Sequence, residues 1–186
     1  MKSLENLLDA GPSGYVYASS VGGHIAQGKR NSLSKENTGD IRFEDSFDMA
    51  SITKIMSTTA ILMELIKAGE ISLTLKVSDL FTDWKGEKEA ITIESLLRHR
   101  SGLAPWRPLY IRNRTIDETH KFIAELPLTT KINSVRVYSD LGFITLGRII
   151  ERVTGLDISR AFETMIKEPF SLLQTQFGSP TTDAVS

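Results

Sequence analysis

The reading of this chain turns on Asp48-Met49-Ala50-Ser51-Ile52-Thr53-Lys54-Ile55-Met56-Ser57-Thr58-Thr59-Ala60-Ile61-Leu62-Met63. A polar start gives way to an apolar run through Ile55, Met56, Ile61, Leu62, Leu65 and Ile66, with Gly69 behind it. That pattern predicts a helix over about 51–68 that ends on a glycine cap. Apolar residues on most of its faces predict that it is largely buried. Positions three apart share a helix face, so the Ser51 hydroxyl and the Lys54 amine are expected to meet. At a helix start, backbone N–H groups lack partners and the dipole favours negative charge, which suits a nucleophilic alkoxide and the oxyanion it creates. Ser51 is therefore the candidate nucleophile of an acyl-transfer reaction.

The spacing alone carries little weight. A serine-rich chain meets Ser-x-x-Lys about once by chance, and a second copy stands at Ser32-Leu33-Ser34-Lys35. That copy sits in a polar run without apolar periodicity and reads as a solvated loop. The Ser51 copy differs in the apolar helix that follows it.

Composition narrows the function classes. A chain of 186 residues is long enough for one domain with a sizeable core. The formal charge of −1 and the lack of a basic cluster interleaved with aromatics give no footprint for nucleic acid. There are no cysteines, hence no disulfide framework and no thiolate nucleophile. His24, His99 and His120 are scattered, so no metal and no cofactor is expected. No apolar run reaches the roughly eighteen residues of a membrane span. The N-terminus lacks the apolar segment of an export signal, so the chain as written is expected in the cytoplasm, with a periplasmic or extracellular home if the natural N-terminus is longer.

Outward from the central helix, Gly14–Ser20 and His24–Gln27 alternate around Gly22-Gly23, the pattern of a β-hairpin. Leu4–Ala10 reads as a helix stub. Glu70–Leu80 reads as an extended crossover, and Thr92 as the cap of a short helix ending at His99. Trp106–Thr115, rich in arginine and aromatics, reads as a loop over the surface or over a cleft. Helices are expected over Glu118–Leu126, from Leu141 through Val153 to Gly155, and from Asp157 past Ile166; Phe170–Ser186 reads as a frayed tail. Hairpin first and helices after, the fold class is α+β. It is expected to form one partial domain, with a stub and hairpin over 1–47, a helical body over 48–176 and a tail over 177–186.

Four stretches, in order, resemble the serine β-lactamase and penicillin-binding protein superfamily, in its branch of class C β-lactamases, D-Ala-D-Ala carboxypeptidases and β-lactamase-like esterases. Ser51-Ile52-Thr53-Lys54 resembles the Ser-x-x-Lys motif. His99-Arg100-Ser101-Gly102-Leu103 resembles the His-x-Ser-Gly-Leu turn. Tyr138-Ser139-Asp140 resembles the Tyr-x-Asn motif, with aspartate in place of asparagine. Pro169-Phe170-Ser171-Leu172 resembles the Pro-Leu-Gly-Met segment. The likeness spans about 14–176. The family's third motif, a Lys or His before a small residue and glycine, has no counterpart after Gln176, nor do the strands that complete its sheet.

The resemblance implies two-step acyl transfer on a small-molecule or peptide substrate: a β-lactam, a D-Ala-D-Ala peptide or a small ester. Ser51 forms the acyl-enzyme, Lys54 shares or accepts its proton, and Tyr138 relays it to the leaving group and later activates water. The Ser51 N–H is one oxyanion donor; the second belongs to the absent strand, and loss of such a donor costs about 2.7–4 kcal/mol. Asp140 is expected to touch substrate or to cap the following helix. Trp106 and Tyr110 are candidates to line the cleft. His99, in the last turn of its helix, is expected to serve structure rather than to act as the base of a Ser–His pair. The competing reading is a catalytically inactive, truncated homologue acting as a binding fragment. In either case the hairpin is expected to leave an open edge that invites self-association.

Overall fold

The computed structural model describes residues 15–30, 42–43, 45–112, 115–178 and 184–185. The expected helix stub over Leu4–Ala10 and the second Ser-x-x-Lys copy at 32–35 lie outside them. The chain divides into two compact units: Met1–Asp48 with Gly178–Ser186, and Met49–Phe177.

In the first unit, β1 (Tyr15–Val21) and β2 (His24–Arg30) pair antiparallel, with Val21 opposite His24 and Tyr15 opposite Arg30. Gly22 and Gly23 have φ of +59° and +83°. A two-residue hairpin turn with both φ positive matches the twist of its strands, and glycine adopts it without strain. The expected hairpin is present, three residues longer on its return strand. The tail is not frayed throughout: β4 (Ala184–Val185) runs parallel to β3 (Ser46–Phe47).

The second unit is helical. A 3-10 turn, Ala50–Ile52, leads through Thr53 into a wide π-helix, Lys54–Thr59, and then into α1 (Ala60–Lys67). Gly69, at φ +77°, closes α1: its N–H donates to the Ile66 carbonyl, and the Glu70 N–H donates to Leu65, satisfying two end carbonyls. The expectation of a largely buried helix holds for one side only. Ile61, Leu62 and Leu65 are buried, whereas Ile52, Ile55 and Met63 are exposed.

Four further helices follow before the last one: α2 (Val77–Leu80), α3 (Ile93–Leu97), α4 (Ile116–Glu125) and α5 (Asp140–Thr154). The crossover over 70–80 is extended only in part. Leu73 and Leu75 accept from Glu94 and Ile93 and Val77 donates to Ile91, while Asp79 accepts the Lys76 N–H and turns the rest into α2. Thr92 caps α3 by accepting the Ser95 N–H. Helix α4 starts earlier than expected, because Thr115 accepts the Glu118 N–H and the Glu118 carboxylate accepts the Thr115 N–H in return. Asp157 caps α6 (Ile158–Phe162), which continues as a π-helix over Glu163–Lys167.

The core gathers Leu62 and Leu65 from α1, Ile93 and Leu96 from α3, Ile123 from α4, Leu141, Leu146 and Ile149 from α5, Phe162, and Trp84. Each such side chain contributes about 1.5–3 kcal/mol relative to exposure. The buried face of α5 follows the apolar spacing seen in the sequence, and Gly155, at φ +72°, ends it. This core fixes the start of the helical run over 51–59, the end of α3 and the start of α5 against one another, and the candidate site lies where those three ends meet.

Candidate active site

The serine sits at an unusual backbone position. Ala50, just ahead of it, has φ +40°, a conformation that costs a non-glycine residue about 1–3 kcal/mol. Ser51 then lies within the 3-10 turn, and the helix widens at Lys54. Short π segments frequently mark functional sites, and here the Thr59 hydroxyl donates to the Lys54 carbonyl at 2.7 Å. The result is the pairing expected from the spacing: Lys54 Nζ donates to Ser51 Oγ at 3.2 Å.

The other wall is built by two segments laced together. After α3 the chain turns at His99, whose φ is +56°. Its N–H donates to Leu96 and the Arg100 N–H donates to Ser95, the arrangement that glycine makes behind α1. With a side chain in the left-handed region this costs about 1–2 kcal/mol. From there 99–105 runs beside 129–140. Thr129 donates to the Gly102 carbonyl, Asn133 to Arg100, Val137 to His99 and Asp140 to Pro105, each at 2.8 Å. The Ser139 hydroxyl donates to Ala104 at 2.7 Å and accepts the Gly142 N–H, which makes Ser139 the cap of α5. Gly102 is required: its φ is +81°, and a Cβ there would collide with the Thr130 carbonyl oxygen.

This lacing delivers Tyr138 and Asp140 to the serine and lysine. Asp140 Oδ1 lies 2.7 Å from Lys54 Nζ. The contact is a charge pair rather than an aligned hydrogen bond, since Oδ1 is buried without a partner at good angle. Lys54 Nζ stands 5.0 Å from the centre of the Tyr138 ring and 5.9 Å from that of Phe143. Burial alone would lower the Lys54 pKa, but the adjacent Asp140 carboxylate, and after it Tyr138, outweigh burial and raise it. Hydrogen bonding to Ser51 first, and to Lys54 second, holds the Tyr138 phenol below its usual value. Asp140 thus favours the Lys54 ammonium, which donates to Ser51 Oγ.

The structure brings Ser51, Lys54, Tyr138 and Asp140 together. The capping role expected for Asp140 passes to Ser139, an equally good cap one residue earlier. Trp106 is exposed, one residue past the Pro105 carbonyl that holds the Asp140 N–H. The side chain of Tyr110, in a 3-10 turn over Leu109–Arg112, lies outside what is described. His99 is buried, and its bond to the site does not follow from the helix dipole that the sequence suggested. Its Nδ1 accepts the Ser139 N–H at 3.0 Å. Among the described residues no cluster of His, Asp or Glu could hold a metal ion, and no helix is long and apolar enough to cross a membrane.

The β-lactamase family matches residues 9–184. An N-acetylmuramyl-L-alanine amidase of Bacillus subtilis (strain 168) is 30% identical over 145 residues, covering 70% of this chain and 33% of that protein. A class C β-lactamase from Rhodobacter sphaeroides superposes with a TM-score of 0.78 at 23% identity, covering 95% of this chain and 50% of that one. A β-lactamase/D-alanine carboxypeptidase from Yersinia pestis gives a TM-score of 0.73 at 20% identity, covering 85% and 48%. The chain thus spans about a third of that curated relative and about half of those structures. With a match over nearly its whole length and the same fold, the chain belongs to the β-lactamase family.

Proposed function

We propose that this chain carries out acyl transfer through a Ser51 acyl-enzyme, on an amide or ester substrate. The observation that carries this reading is the Lys54 Nζ to Ser51 Oγ bond of 3.2 Å, with the Tyr138 ring centre 5.0 Å from the same Lys54 Nζ. Ser51 Oγ attacks the carbonyl carbon, a new C–O bond forms, and the bond from that carbon to the leaving amine or alcohol breaks. The serine proton passes to Tyr138 in its phenolate form, which the neighbouring Lys54 ammonium stabilises, and from Tyr138 to the leaving group. In the second half Tyr138 takes a proton from water, the hydroxide attacks the acyl carbon, the bond from that carbon to Ser51 Oγ breaks, and Tyr138 returns the proton to Ser51 Oγ. The Ser51 N–H serves as an oxyanion donor. Asp140 and Trp106 border the substrate, and Tyr110 joins them on the sequence reading alone.

The relatives named as an amidase, a carboxypeptidase and a β-lactamase support an amide or ester as substrate. The test is labelling of the folded chain with a fluorophosphonate and with a fluorescent penicillin, beside Ser51→Ala and Tyr138→Phe. Label on the wild type that Ser51→Ala abolishes and Tyr138→Phe slows is the expected result. A folded chain that takes neither probe overturns acyl transfer and leaves a non-catalytic binding role.

A further inference from the structure

We propose that His99 is a positioning residue, holding Tyr138 in register with Ser51 and Lys54 through a bare ring nitrogen; this rests on the acyl-transfer reading above. His99 is expected to serve structure rather than act as a base, and the structure gives it more than packing to do. It meets the tyrosine's segment in three ways. Its carbonyl accepts the Val137 N–H at 2.8 Å. Its Nδ1 accepts the Ser139 N–H at 3.0 Å. Its ring lies against the Tyr138 ring with centroids 4.4 Å apart, and against Phe143 at 5.0 Å. The residues on either side of Tyr138 are thus fixed by one side chain and its own backbone.

Two features show that the bond is demanding. The left-handed backbone at His99 is one that glycine or asparagine adopts more easily, so the histidine is kept there at a cost in strain. The ring is also buried, and Nδ1 can accept only while unprotonated, which places the neutral ring's hydrogen on Nε2. Protonation would set an N–H against the Ser139 N–H, and one of the two must move away.

His99 therefore couples the register of Tyr138 to pH. The charged groups facing it are Arg136 from the laced segment, Lys54 from the nucleophile helix and Asp140 from α5, with Tyr138 stacked on its face. Burial first, then Arg136 and Lys54, lower its pKa below the usual histidine value, against a smaller opposing pull from Asp140. At neutral pH the acceptor is intact. As the pH falls through the His99 titration, the Ser139 bond breaks and Tyr138 is released from the nucleophile.

The test compares His99→Asn and His99→Gly, reading the rate of Ser51 acylation by a fluorophosphonate across pH. Asparagine tolerates the left-handed backbone, and its Oδ1 replaces Nδ1 as an acceptor that does not titrate. The expected result is an acylation rate within about threefold of wild type with the acid limb displaced to lower pH, because that acceptor never protonates. Glycine relieves the backbone but removes the acceptor and the ring; the expected loss is about a hundredfold, the scale of a 1 Å misplacement. A glycine variant that folds and keeps the wild-type rate overturns the proposal, as does an asparagine variant with an unmoved acid limb. If the wild type itself is not acylated, the acyl-transfer reading fails, and the positioning claim is read separately from the Tyr138 phenol. Its resonance, assigned with Tyr138→Phe in ¹³C-tyrosine-labelled protein, is expected to titrate low in wild type and His99→Asn and to return toward an ordinary tyrosine in His99→Gly. Unchanged titration in His99→Gly overturns it.

Discussion

Lys54 Nζ stands 2.7 Å from Asp140 Oδ1 and 3.2 Å from Ser51 Oγ, so one ammonium bridges the acidic start of α5 and the serine in the 3-10 turn ahead of the Lys54–Thr59 π-helix. The carboxylate favours the charged form of that bridge. An asparagine in its place would leave Lys54 with its burial and without its counter-charge.

Asp140→Asn is therefore expected to lower the Lys54 pKa, because burial then acts against Tyr138 alone. A site that needs the Lys54 ammonium loses activity where that ammonium deprotonates, so the alkaline limb of the acylation profile moves to lower pH. The side chains are nearly isosteric and the fold is expected to survive. An alkaline limb that does not move shows that Lys54 is not the group titrating there.

The sequence made the serine–lysine pair legible because a three-residue offset on a helix is a local relation, and the apolar run behind it told the two copies of the motif apart. Gly69 and Gly155 were readable for the same reason: a positive φ behind a helix asks for glycine. The charge state of Lys54 was not readable, since it depends on a carboxylate 86 residues further along that only the lacing of 99–105 with 129–140 delivers. That lacing runs mainly through backbone groups, which leave no mark on side-chain pattern. Histidine at a left-handed position and the exposed side of the helical run through Ser51 and Lys54 were hidden likewise. Tertiary context, not local propensity, sets both.

Gly102 carries much of that lacing. Gly102→Ala places a Cβ against the Thr130 carbonyl at φ +81° and is expected to cost about 2 kcal/mol or more. In a chain of this size that is a fall in Tm of about 4–8 °C. Gly147→Ala serves as the control: a Cβ there meets nothing within 4 Å, and the change lies inside α5, so a gain of about 0.5–1 kcal/mol is expected. Equal Tm values for the two variants would contradict the assignment.

A second buried histidine sets an acid limit on stability. His120 Nε2 accepts the Trp84 indole N–H at 3.2 Å, and burial first, then Arg148, lowers its pKa to about 4. Above about pH 6.5 neither the folded nor the unfolded chain holds this proton; between there and about pH 4 only the unfolded chain does. Stability is thus full at neutral pH and declines as pH falls through that window, by about 3 kcal/mol at most. Urea unfolding at stepped pH checks this. His120→Gln should flatten the decline, and a wild type equally stable at pH 4.5 and 7 would contradict it.

Among the described residues β1 and β2 pair only with each other, and Ile25 on β2 is 75% exposed. Such edges accept strands from other chains. We expect light scattering to show mass rising with protein concentration, and Ile25→Lys to reduce it. A single monomer mass across the concentration range would count against pairing through this hairpin.

The central claim is that Ser51 is acylated in preference to every other hydroxyl of the chain. Peptide mapping by tandem mass spectrometry after fluorophosphonate treatment tests it directly. The account predicts one adduct, on the peptide carrying Ser51, that forms fastest at neutral to mildly alkaline pH and is absent from Ser51→Ala. A folded wild type without an adduct at Ser51, or with label spread over other serines to the same extent in Ser51→Ala, would contradict it.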